Sequence, residues 1–529
     1  MPSLADWRSV TPMLMFCILT FATADFTFGL DTGTFGNLQA MPAFLNEFGE
    51  RNAAGKMILS TNRKSIMNSV VYLGRMVGVF IFEPATERYG FKMMFVFLCV
   101  VQLIAVVIEL TSKEWIQFTV GRVLTYVTIG LIEAVIPSYS AEVAPAPLRG
   151  FFAGLFVPLQ SSVGMLTSGV ARAFANTQGK VGWIIPITLQ GIPSLIGLSL
   201  IFFTVESPRW LLTKGREEEA LHNLRRLRNQ HDVDAGIPEA EIEAIKSAIA
   251  YSNSISQGSW MELFSGPYWR RTIYASIMFM AYEAGGNQFY NAYGPSFLVD
   301  AGLGNKTFIY GIIVNLFGAI GSLMTILSTD TIGRRPLCII GSFLVVLWDC
   351  LIAAFGGASD ITTNPQKQNI TVASFILLIF STKVAFATHS FIVTTEMGGV
   401  RMRKKLMMIG AFHDVLWSFL TAFFTPYIMK SIHADIGYLF AGIAGIGLLY
   451  AIFLLPELRG RSLEEVDELF EKPRFRWGWQ YKGVVTTGVG AQIANLESHN
   501  AAAAMHPDVE TGKDSDVAHN VVEVEDQKY

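Results

Sequence analysis

The stretch Glu87-Arg88-Tyr89-Gly90-Phe91-Lys92 lies between two apolar runs, and a similar stretch, Asp330-Thr331-Ile332-Gly333-Arg334-Arg335, lies between two apolar runs in the second half of the chain. Two further charged phrases recur in the same order and at similar offsets. They are Glu142 with Arg149, which returns as Glu396 with Arg403, and Glu206, which returns as Glu457. Three repeats in one order indicate an internal duplication, and repeated halves are common in membrane transporters.

The composition is that of a membrane protein. Hydrophobic residues make up 51% of the chain and charged residues only 16%, whereas a soluble chain carries about 25% charged residues. The mean hydropathy is +0.40. Charges gather in short islands between apolar runs of about 20 residues, the length of a helix that crosses a bilayer. These runs predict twelve spans, at 12–33, 65–84, 93–111, 116–139, 150–171, 184–204, 271–296, 307–328, 337–356, 371–394, 406–429 and 436–455.

Basic islands follow alternate spans and predict the orientation of the chain. The islands contain Arg88, Lys92, Arg149, Arg334, Arg335 and the residues 401–405. By the positive-inside rule, these loops and both termini face the cytosol. The two N-x-S/T sequons, at Asn305 and Asn369, then lie outside the cell, where they are predicted N-glycosylation sites.

This topology divides the chain into four segments. The first six spans occupy 1–205, a cytosolic linker 206–268, the last six spans 269–456, and a cytosolic C-terminal segment 457–529. In the linker, Leu221, Leu224 and Leu227 recur at helical spacing, which predicts amphipathic helices. After about residue 471 the chain is polar and has no apolar periodicity, and we predict disorder there.

Several function classes are excluded by what the sequence lacks. A net charge of -3 gives no basic field for nucleic acid. No phosphate-binding loop, His-Glu-x-x-His or Gly-x-Ser-x-Gly motif occurs, so we expect neither an enzyme nor an ATP-driven pump, and no cofactor. The four cysteines lie in apolar runs without Cys-x-x-Cys spacing, so we expect no disulfide framework and no metal site.

The repeated charges lie at cytosolic span ends, and two interpretations of them stay open. They set the topology alone, or they form salt bridges between the two halves that lock one conformation and break when the cytosolic side opens. As a predicted cytosolic gate we take Glu87, Arg88, Glu142, Arg149, Glu206, Arg209, Asp330, Arg334, Arg335, Glu396, Arg403 and Glu457.

From about Gly29 to Phe470 the chain resembles the sugar porter family of the major facilitator superfamily, in its fungal form. Its most specific phrases are Pro137-Ser138-Tyr139-Ser140-Ala141-Glu142-Val143-Ala144-Pro145, which leads to Arg149-Gly150, then Glu206-Ser207-Pro208-Arg209-Trp210-Leu211, and Gly460-Arg461-Ser462-Leu463-Glu464-Glu465-Val466-Asp467. The resemblance implies an all-α membrane fold, with twelve helices in two pseudo-symmetric six-helix bundles that rock around a central site. The chain departs from the family at Glu83, Phe91 and Thr331, which stand where Gly, a basic residue and Arg are usual.

Two charged residues within apolar spans are candidates for proton coupling. Asp31 lies in span one and Arg122 in span four, and a buried ionisable group in a membrane marks function by default. By the resemblance, Asp31 and Arg122 match the acid and the arginine that couple proton entry to transport in proton-coupled sugar porters. This match implies symport. The alternative is a static structural salt bridge. Asp25 and Glu133 also lie within apolar spans, but neither matches a family role.

Positions matching the family's sugar-binding residues are unusually charged here. Amides suit sugars because each offers a hydroxyl both a donor and an acceptor. The candidate substrate residues are Gln160, Glu283, Gln288, Asn291, Lys383, Asp414 and Trp417. Two hypotheses for Lys383 stay open: it pairs with a substrate carboxylate, or it neutralises Glu283 or Asp414 and leaves a neutral sugar as the ligand.

The sequence therefore predicts a multi-pass transporter of the plasma membrane that imports a hexose or an oligosaccharide by proton symport with alternating access. Its expected partners are the sugar, protons and the lipid bilayer, without nucleic acid, and a monomer is expected. Two alternatives remain: a sugar-acid or quinate-type carrier, and a sugar sensor of the same fold that does not transport.

Overall fold

The computed structural model describes residues 6–52, 55, 57–145, 148–177, 179–254, 258–266, 268–304, 306–357, 361–461, 463–471 and 477–483. Within these ranges nearly all regular structure is helical. A two-residue hairpin, Glu50–Arg51 paired with Met57–Ile58, follows the short helix Pro42–Phe48 between the first two spans.

The first half contains six spans, each close to its predicted position. They are Pro12–Leu38; Thr61–Ser69 with Val71–Tyr89; Phe91–Leu110; Trp115–Val143; Arg149–Gly154 with Phe156–Phe174; and Val181–Leu189 with Gly191–Leu200 and the 3-10 turn Ile201–Phe203. Apolar side chains fill this bundle, and the stacked rings of Phe21 and Tyr139, with centroids 3.7 Å apart, lie in its core.

The second half repeats the pattern with a broken first member. Its spans are Tyr268–Tyr282 continued through turns to Leu303; Lys306–Ile332; Arg334–Gly356; Pro365–Thr382 continued to His389–Met397; Gly399–Ile432; and Ile436–Phe453. Ten helical segments of the described chain are long and apolar enough to cross a membrane. One of them, Arg401–Phe453, contains two spans joined at His433–Asp435, and the broken span is not among the ten. All twelve predicted spans are therefore present.

Polar helices cover one end of the two bundles, which we call the linker face. They are Pro208–Thr213, Glu217–Leu227, Gln230–Asp234, Ile237–Ser254 and the 3-10 turn Trp260–Phe264. Leu224 and Leu227 are buried as the periodicity predicts. The amino end reaches the same face, since Thr11 Oγ1 donates to Leu227 O at 3.0 Å. The opposite end is called the far face.

The C-terminal segment also lies at the linker face. Helix Leu463–Glu471 is followed by the 3-10 turn Gly478–Gly483, where the Tyr481 ring packs on Phe470 with centroids 5.6 Å apart. Ordered structure thus extends past residue 471, where we predicted disorder to begin. The rest of that prediction concerns residues 472–476 and 484–529, which lie outside the described residues.

A helix cap at the start of span three involves Glu206. Its carboxylate accepts the backbone N–H groups of Phe91 and Lys92, both at 3.1 Å, and so caps the helix at its N-terminus. The residue before the helix, Gly90, has φ of +84°, and a Cβ there would lie 2.7 Å from the carboxylate of Glu206. Only glycine leaves room for this cap.

Glu457 makes the same cap in the second half. It accepts the backbone N–H groups of Arg334 at 3.2 Å and Arg335 at 3.1 Å, at the start of span nine. Gly333 precedes that helix with φ of +108°, and its Cβ would lie 2.6 Å from the Glu457 carboxylate. The repeated phrases of the sequence thus correspond to one local structure built twice.

The two bundles meet along two seams. Span two packs against span eleven, and span five packs against span eight. A large cavity lies between the seams, and the polar side chains of both bundles converge on it.

Candidate substrate and proton-coupling site

The central cavity has a volume of about 1200 Å³ and extends from the middle of the bundles to the linker face. Near the linker face its wall includes Trp210 and Lys214 of the first linker helix, and toward the far face it ends at Asn37 and Asn68. A cavity of this size holds a small polar solute with room for water.

The far face is closed by hydrogen bonds between the bundles. The amides of Gln39 and Asn68 exchange hydrogen bonds at 3.0 and 3.3 Å, and Gln39 Nε2 also donates to Ala292 O of the second bundle at 3.2 Å. Ser65 Oγ donates to Phe423 O at 2.7 Å. The structure is therefore open at one face and sealed at the other.

Span seven is interrupted where it borders the cavity. The helix Tyr268–Tyr282 gives way to π-helical turns at Glu283–Asn287 and Phe289–Tyr293. Gly286 has φ of +104°, which a residue with a side chain adopts only with strain. Irregular backbone inside a membrane occurs where protein or a water-filled cavity satisfies its polar groups, and such breaks commonly mark binding sites.

The interruption presents a connected set of polar side chains. Gln288 Nε2 donates to Glu283 Oε2 at 2.6 Å and to Ser418 Oγ at 3.2 Å, and Gln288 Oε1 accepts from Tyr72 at 2.7 Å. Asn287 Nδ2 donates to Glu283 at 3.1 Å. Predicted residues Glu283 and Gln288 thus meet, and Tyr72 and Asn287 join them.

A second part of this network faces the cavity directly. The Asn287 Oδ1 atom accepts from Tyr290 at 2.6 Å and from Asn291 at 3.3 Å. Asn291, as predicted, lines the cavity and is exposed to it. The sequence analysis missed Asn287 and Tyr290, although both lie in the polar run of span seven that drew attention to their neighbours.

Lys383 lines the cavity on span ten, and its ammonium has no hydrogen-bond or ion-pair partner in the part of the chain that the structure describes. It begins the π-helical turn Lys383–Ala387 and is half-buried. No carboxylate oxygen of the described residues lies within 4.0 Å of its ammonium nitrogen. The direct ion pair with Glu283 or Asp414 that one of our hypotheses requires is thus not formed here.

Asp414 pairs instead with Arg75 of span two. Arg75 Nη2 lies 2.5 Å from Asp414 Oδ2, and the same guanidinium forms two bonds of 2.8 Å with Glu133. All three side chains line the cavity. Arg75 was missed in the sequence, although an arginine within an apolar span is itself a signal. It gives Glu133, which matched no family role, a defined partner.

Asp31 and Arg122 form the predicted buried pair. Arg122 Nη2 lies 3.2 Å from Asp31 Oδ2, and both side chains are at most 3% exposed. The guanidinium also donates to Met67 O at 2.9 Å and lies 3.7 Å from the centroid of the Phe35 ring. The other oxygen of Asp31 accepts no hydrogen bond from the described residues. This carboxylate therefore depends on Arg122 for its charge balance.

An acid that the sequence analysis missed lies next to this pair. Glu109 of span three is fully buried and accepts a hydrogen bond from Thr125, one turn beyond Arg122, at 3.2 Å. The signal was available, because Glu109 is an acid within a predicted apolar span.

The two remaining predicted substrate residues differ in placement. Gln160 lines the cavity and donates to Asp25 Oδ1 at 2.9 Å, so that it orients a fully buried carboxyl group. Span eleven contributes residues between Arg403 and Val415 to the cavity wall, and Trp417 is not among the lining residues. Asp414 and Trp417 are three residues apart and therefore lie on neighbouring parts of the helix surface. Contact of Trp417 with the substrate stays a prediction.

A sequence model described as sugar (and other) transporter matches residues 16–470. The chain belongs to this family of sugar transporters. The predicted family and fold are thereby confirmed, and so is the prediction that the chain is not an enzyme.

Relatives and solved structures agree with this assignment. A low-affinity glucose transporter of Saccharomyces cerevisiae is 28% identical, over 93% of this chain and 87% of the relative. The galactose transporter of the same yeast is 25% identical, over 88% of this chain and 83% of the relative. The xylose transporter XylE from E. coli, in a partially occluded inward-open conformation, superposes with a TM-score of 0.69 at 17% identity, over 84% of this chain and 99% of that one. A second XylE structure, described as a proton:xylose symporter, superposes with a TM-score of 0.67 at 18% identity, over 87% of this chain and 99% of that one.

The predicted gate of this transporter is mostly made of contacts within one bundle. Arg334 pairs with Glu396 at 2.9 Å inside the second bundle, and Glu142 accepts a short hydrogen bond from Ser207. Glu206 and its counterpart Glu457 cap helices, as described above. Burial raises the pKa of Glu206, and the backbone N–H groups that it accepts oppose that rise.

The other gate residues do not form the predicted salt bridges between bundles. Their side chains are exposed and, within the described residues, make no ion pair closer than 4.0 Å; they are Glu87, Arg88, Arg149, Arg209 and Arg403. The Asp330 side chain lies outside the described residues. The cavity reaches this face, and Glu87, Arg209 and Arg403 line it there without meeting a partner of opposite charge among the described residues. The ion pair that joins the bundles at this face is instead Lys404 with Glu83.

The predicted glycosylation sites are described in part. Asn305 lies outside the described residues. Asn369 is exposed at the far-face end of span ten. The Thr371 of its sequon is buried within the helix and donates to Lys367 O at 2.9 Å. Glycosylation of Asn369 stays a prediction.

Proposed function

We propose that this transporter imports a neutral sugar across the plasma membrane together with a proton, by alternating access between its two bundles. The observation that carries the proposal is the buried pair of Asp31 and Arg122 within a bundle that lines a large polar cavity. The glucose, galactose and xylose transporters among the relatives support a sugar of the hexose or pentose class.

The linker face is taken as cytosolic. Its loops carry the basic residues Arg88, Arg149 and Arg335, and cytosolic loops of membrane proteins are enriched in such residues. The conformation is then inward-open, and the hydrogen bonds of Gln39 and Ser65 at the far face close the outer side. Both termini face the cytosol in this arrangement.

Proton coupling follows from the cost of a buried charge. While Asp31 is ionised, it holds Arg122 and the two spans together. When the Asp31 carboxyl takes a proton from the outer side, the attraction is lost, and Arg122 retains Met67 O and the Phe35 ring. Spans one and four can then shift, and re-formation of the pair after the proton leaves on the cytosolic side resets the cycle.

The sugar site is assigned to the amides and hydroxyls at the broken part of span seven. Asn287, Gln288 and Asn291 supply donors and acceptors there, and Gln160 supplies another amide across the cavity. Each can bond sugar hydroxyls in the bidentate manner that amides allow. The cavity also has room for a disaccharide, so the class includes short oligosaccharides.

Uptake of a panel of labelled sugars tests this function. The chain is expressed in a cell that lacks its own sugar transporters, and accumulation is measured with and without an uncoupler. We expect at least one sugar to accumulate above its external concentration and the uncoupler to abolish the gradient. Uptake that the uncoupler does not change would contradict symport. Binding to the purified protein without any uptake would indicate the sensor instead.

A second candidate is a carrier of sugar acids or quinate-like acids. The Lys383 ammonium in the cavity, which pairs with no carboxylate among the described residues, favours it. A carboxylate on the substrate would supply the partner that the protein does not. Uptake by Lys383→Gln and by wild type is compared for glucose, gluconate and quinate. Selective loss of acid uptake supports this candidate, and an unchanged preference among the three substrates rules it out.

A further inference from the structure

Spans two and eleven contact each other at the far face, in the middle and at the linker face, although they belong to different bundles. At the far face, Ser65 Oγ donates to Phe423 O at 2.7 Å. At the linker face, Lys404 Nζ lies 3.1 Å from Glu83 Oε1. Glu83 is the residue that replaces the family's usual glycine, so one departure from the family motif creates a contact between the bundles.

The middle of this seam is held by one guanidinium. Arg75 Nη2 lies 2.5 Å from Asp414 Oδ2 and 2.8 Å from Glu133 Oε1, and Arg75 Nε donates to Glu133 Oε2 at 2.8 Å. Glu133 belongs to the same bundle as Arg75, whereas Asp414 belongs to the other. Arg75 therefore joins carboxylates of both bundles at once, and Glu133 fixes its orientation through two parallel bonds.

Asp414 has no other support for its charge. Its side chain is 2% exposed, and Oδ1 accepts no hydrogen bond from the described residues. Separation from Arg75 would leave a buried carboxylate without a partner, which is among the most costly changes in a protein interior. A contact of this kind favours a position that does not open during the cycle.

The position of the pair along the helices fits that requirement. Arg75 lies midway between Thr61 and Tyr89, the two ends of span two, and Asp414 lies near the middle of span eleven, Gly399–Ile432. When two bodies rock against each other, contacts at the ends of the seam open and close, whereas a contact at its centre changes least.

We propose that Arg75 and Asp414 form a permanent pivot between the bundles, with Glu133 as the residue that orients Arg75. In this structure the contacts at both ends of the seam are formed as well, and the central pair stays closed when either end opens. Asp414 is then a positioning residue that does not bind the substrate, in contrast to the role that its place in the sequence predicts. This inference rests on the proposed alternating-access transport of a sugar.

The test compares KM and maximal uptake rate, corrected for the amount of protein in the membrane, for Asp414→Asn, Glu133→Gln and the exchange Arg75→Asp with Asp414→Arg. For a pivot, we expect Asp414→Asn to lower the maximal uptake rate at least about tenfold. A fall of this size corresponds to only a small part of the free energy lost when a buried ion pair is broken. KM stays within about twofold, since a residue that does not touch substrate leaves binding unchanged. Glu133→Gln leaves the ion pair between Arg75 and Asp414 in place, so its maximal uptake rate falls less than that of Asp414→Asn. The exchange variant regains part of the maximal rate that Asp414→Asn loses.

Three results would overturn the pivot. The first is a raised KM with an unchanged maximal rate in Asp414→Asn, which would make Asp414 a substrate ligand. The second is an Asp414→Asn variant whose KM and maximal rate both equal those of wild type. The third is an exchange variant whose maximal rate is no higher than that of Asp414→Asn. If Asp414→Asn does not reach the membrane, Arg75→Lys, which keeps the charge but loses the planar fork, is judged by the same criteria.

A measurement that needs no transport separates failure of the pivot from failure of the proposed function. Thermal unfolding of the purified protein is followed for wild type, Asp414→Asn and Glu83→Gln, whose carboxylate pairs at the exposed end of the same seam. If wild type takes up no sugar, the proposed transport fails, while a lower melting temperature in Asp414→Asn alone still supports the buried tie. Equal melting temperatures in all three would refute the tie as well.

Discussion

Glu206 and Glu457 occupy equivalent positions in the two bundles, and each accepts two successive backbone N–H groups at the start of a membrane helix, at 3.1–3.2 Å. Both helices are preceded by a glycine with positive φ, Gly90 and Gly333. The duplicated acids thus stabilise helix ends within each bundle. Their negative charge interacts favourably with the helix dipole, and their oxygens accept hydrogen bonds from the free N–H groups.

Loss of either cap should destabilise the transporter. Glu206→Gln removes the charge at the start of span three, and we expect a loss of about 1–2 kcal/mol, the usual value for a helix cap that also meets the dipole. The fall in melting temperature of the purified protein measures it. Glu218→Gln, at an exposed position of a linker helix, is the control. Glu457→Gln should behave like Glu206→Gln, and the two effects should add because the sites are far apart.

Removal of the acid at the proton-coupling pair should uncouple transport. Asp31→Asn cannot release a proton to re-form its ion pair with Arg122, so we expect loss of accumulation against a gradient while exchange of labelled for unlabelled sugar continues. Uptake and counterflow in membrane vesicles measure the two activities. Asp300→Asn, an exposed acid near the far face, is the control. Full accumulation in Asp31→Asn would show that the pair is only structural.

An amide that faces the cavity should contribute to sugar affinity. The Asn291 side chain is exposed to the cavity, and its hydrogen bonding to the described residues is confined to Asn287 and Tyr290 of the same span, so Asn291→Ala should leave the fold intact. Loss of one or two hydrogen bonds to the sugar should raise KM about tenfold, the equivalent of about 1.4 kcal/mol, with little change in the maximal rate. Gln366→Ala, at an exposed amide of the far face, is the control. An unchanged KM would remove Asn291 from the sugar site.

The break in span seven depends on glycine at one position. In Gly286→Ala the new Cβ would lie 3.2 Å from Asp349 Oδ1, on a backbone with φ of +104°. We expect a loss of about 1–2 kcal/mol from the left-handed conformation alone. Gly442→Ala is the matched control, because the space around Gly442 is open, and it should be neutral or stabilising. Equal melting temperatures for the two variants would contradict this account of the break.

The spans and the pair of Asp31 with Arg122 could be predicted from the sequence for one physical reason. Apolar runs must cross the bilayer, and a charge inside such a run must find a partner of opposite sign. The same rule applied to Arg75 would have found another buried cation within a predicted span. Its pairing with Asp414 could not be predicted, since it depends on how two bundles pack against each other across the cavity.

The sequence also located the repeated acids without revealing their use. Glu206 was expected in a salt bridge between bundles because acids and bases recur together there, yet its carboxylate accepts backbone N–H groups. A sequence pattern records which residues recur and not which atoms they contact. The phrase that includes Trp417 likewise predicts a contact with the substrate, and the Trp417 ring is not among the residues that line the cavity in this structure.

The interrupted span seven bears on how the chain enters the membrane during synthesis. Its buried Glu283, Asn287 and Gln288 lower the free energy gained when this segment leaves the translocon on its own, and it is not among the segments that are apolar enough by length and composition. Span eight, by contrast, is a continuous apolar helix. We expect span seven to remain in the protein-lined channel until span eight emerges, so that the two enter the lipid as a hairpin.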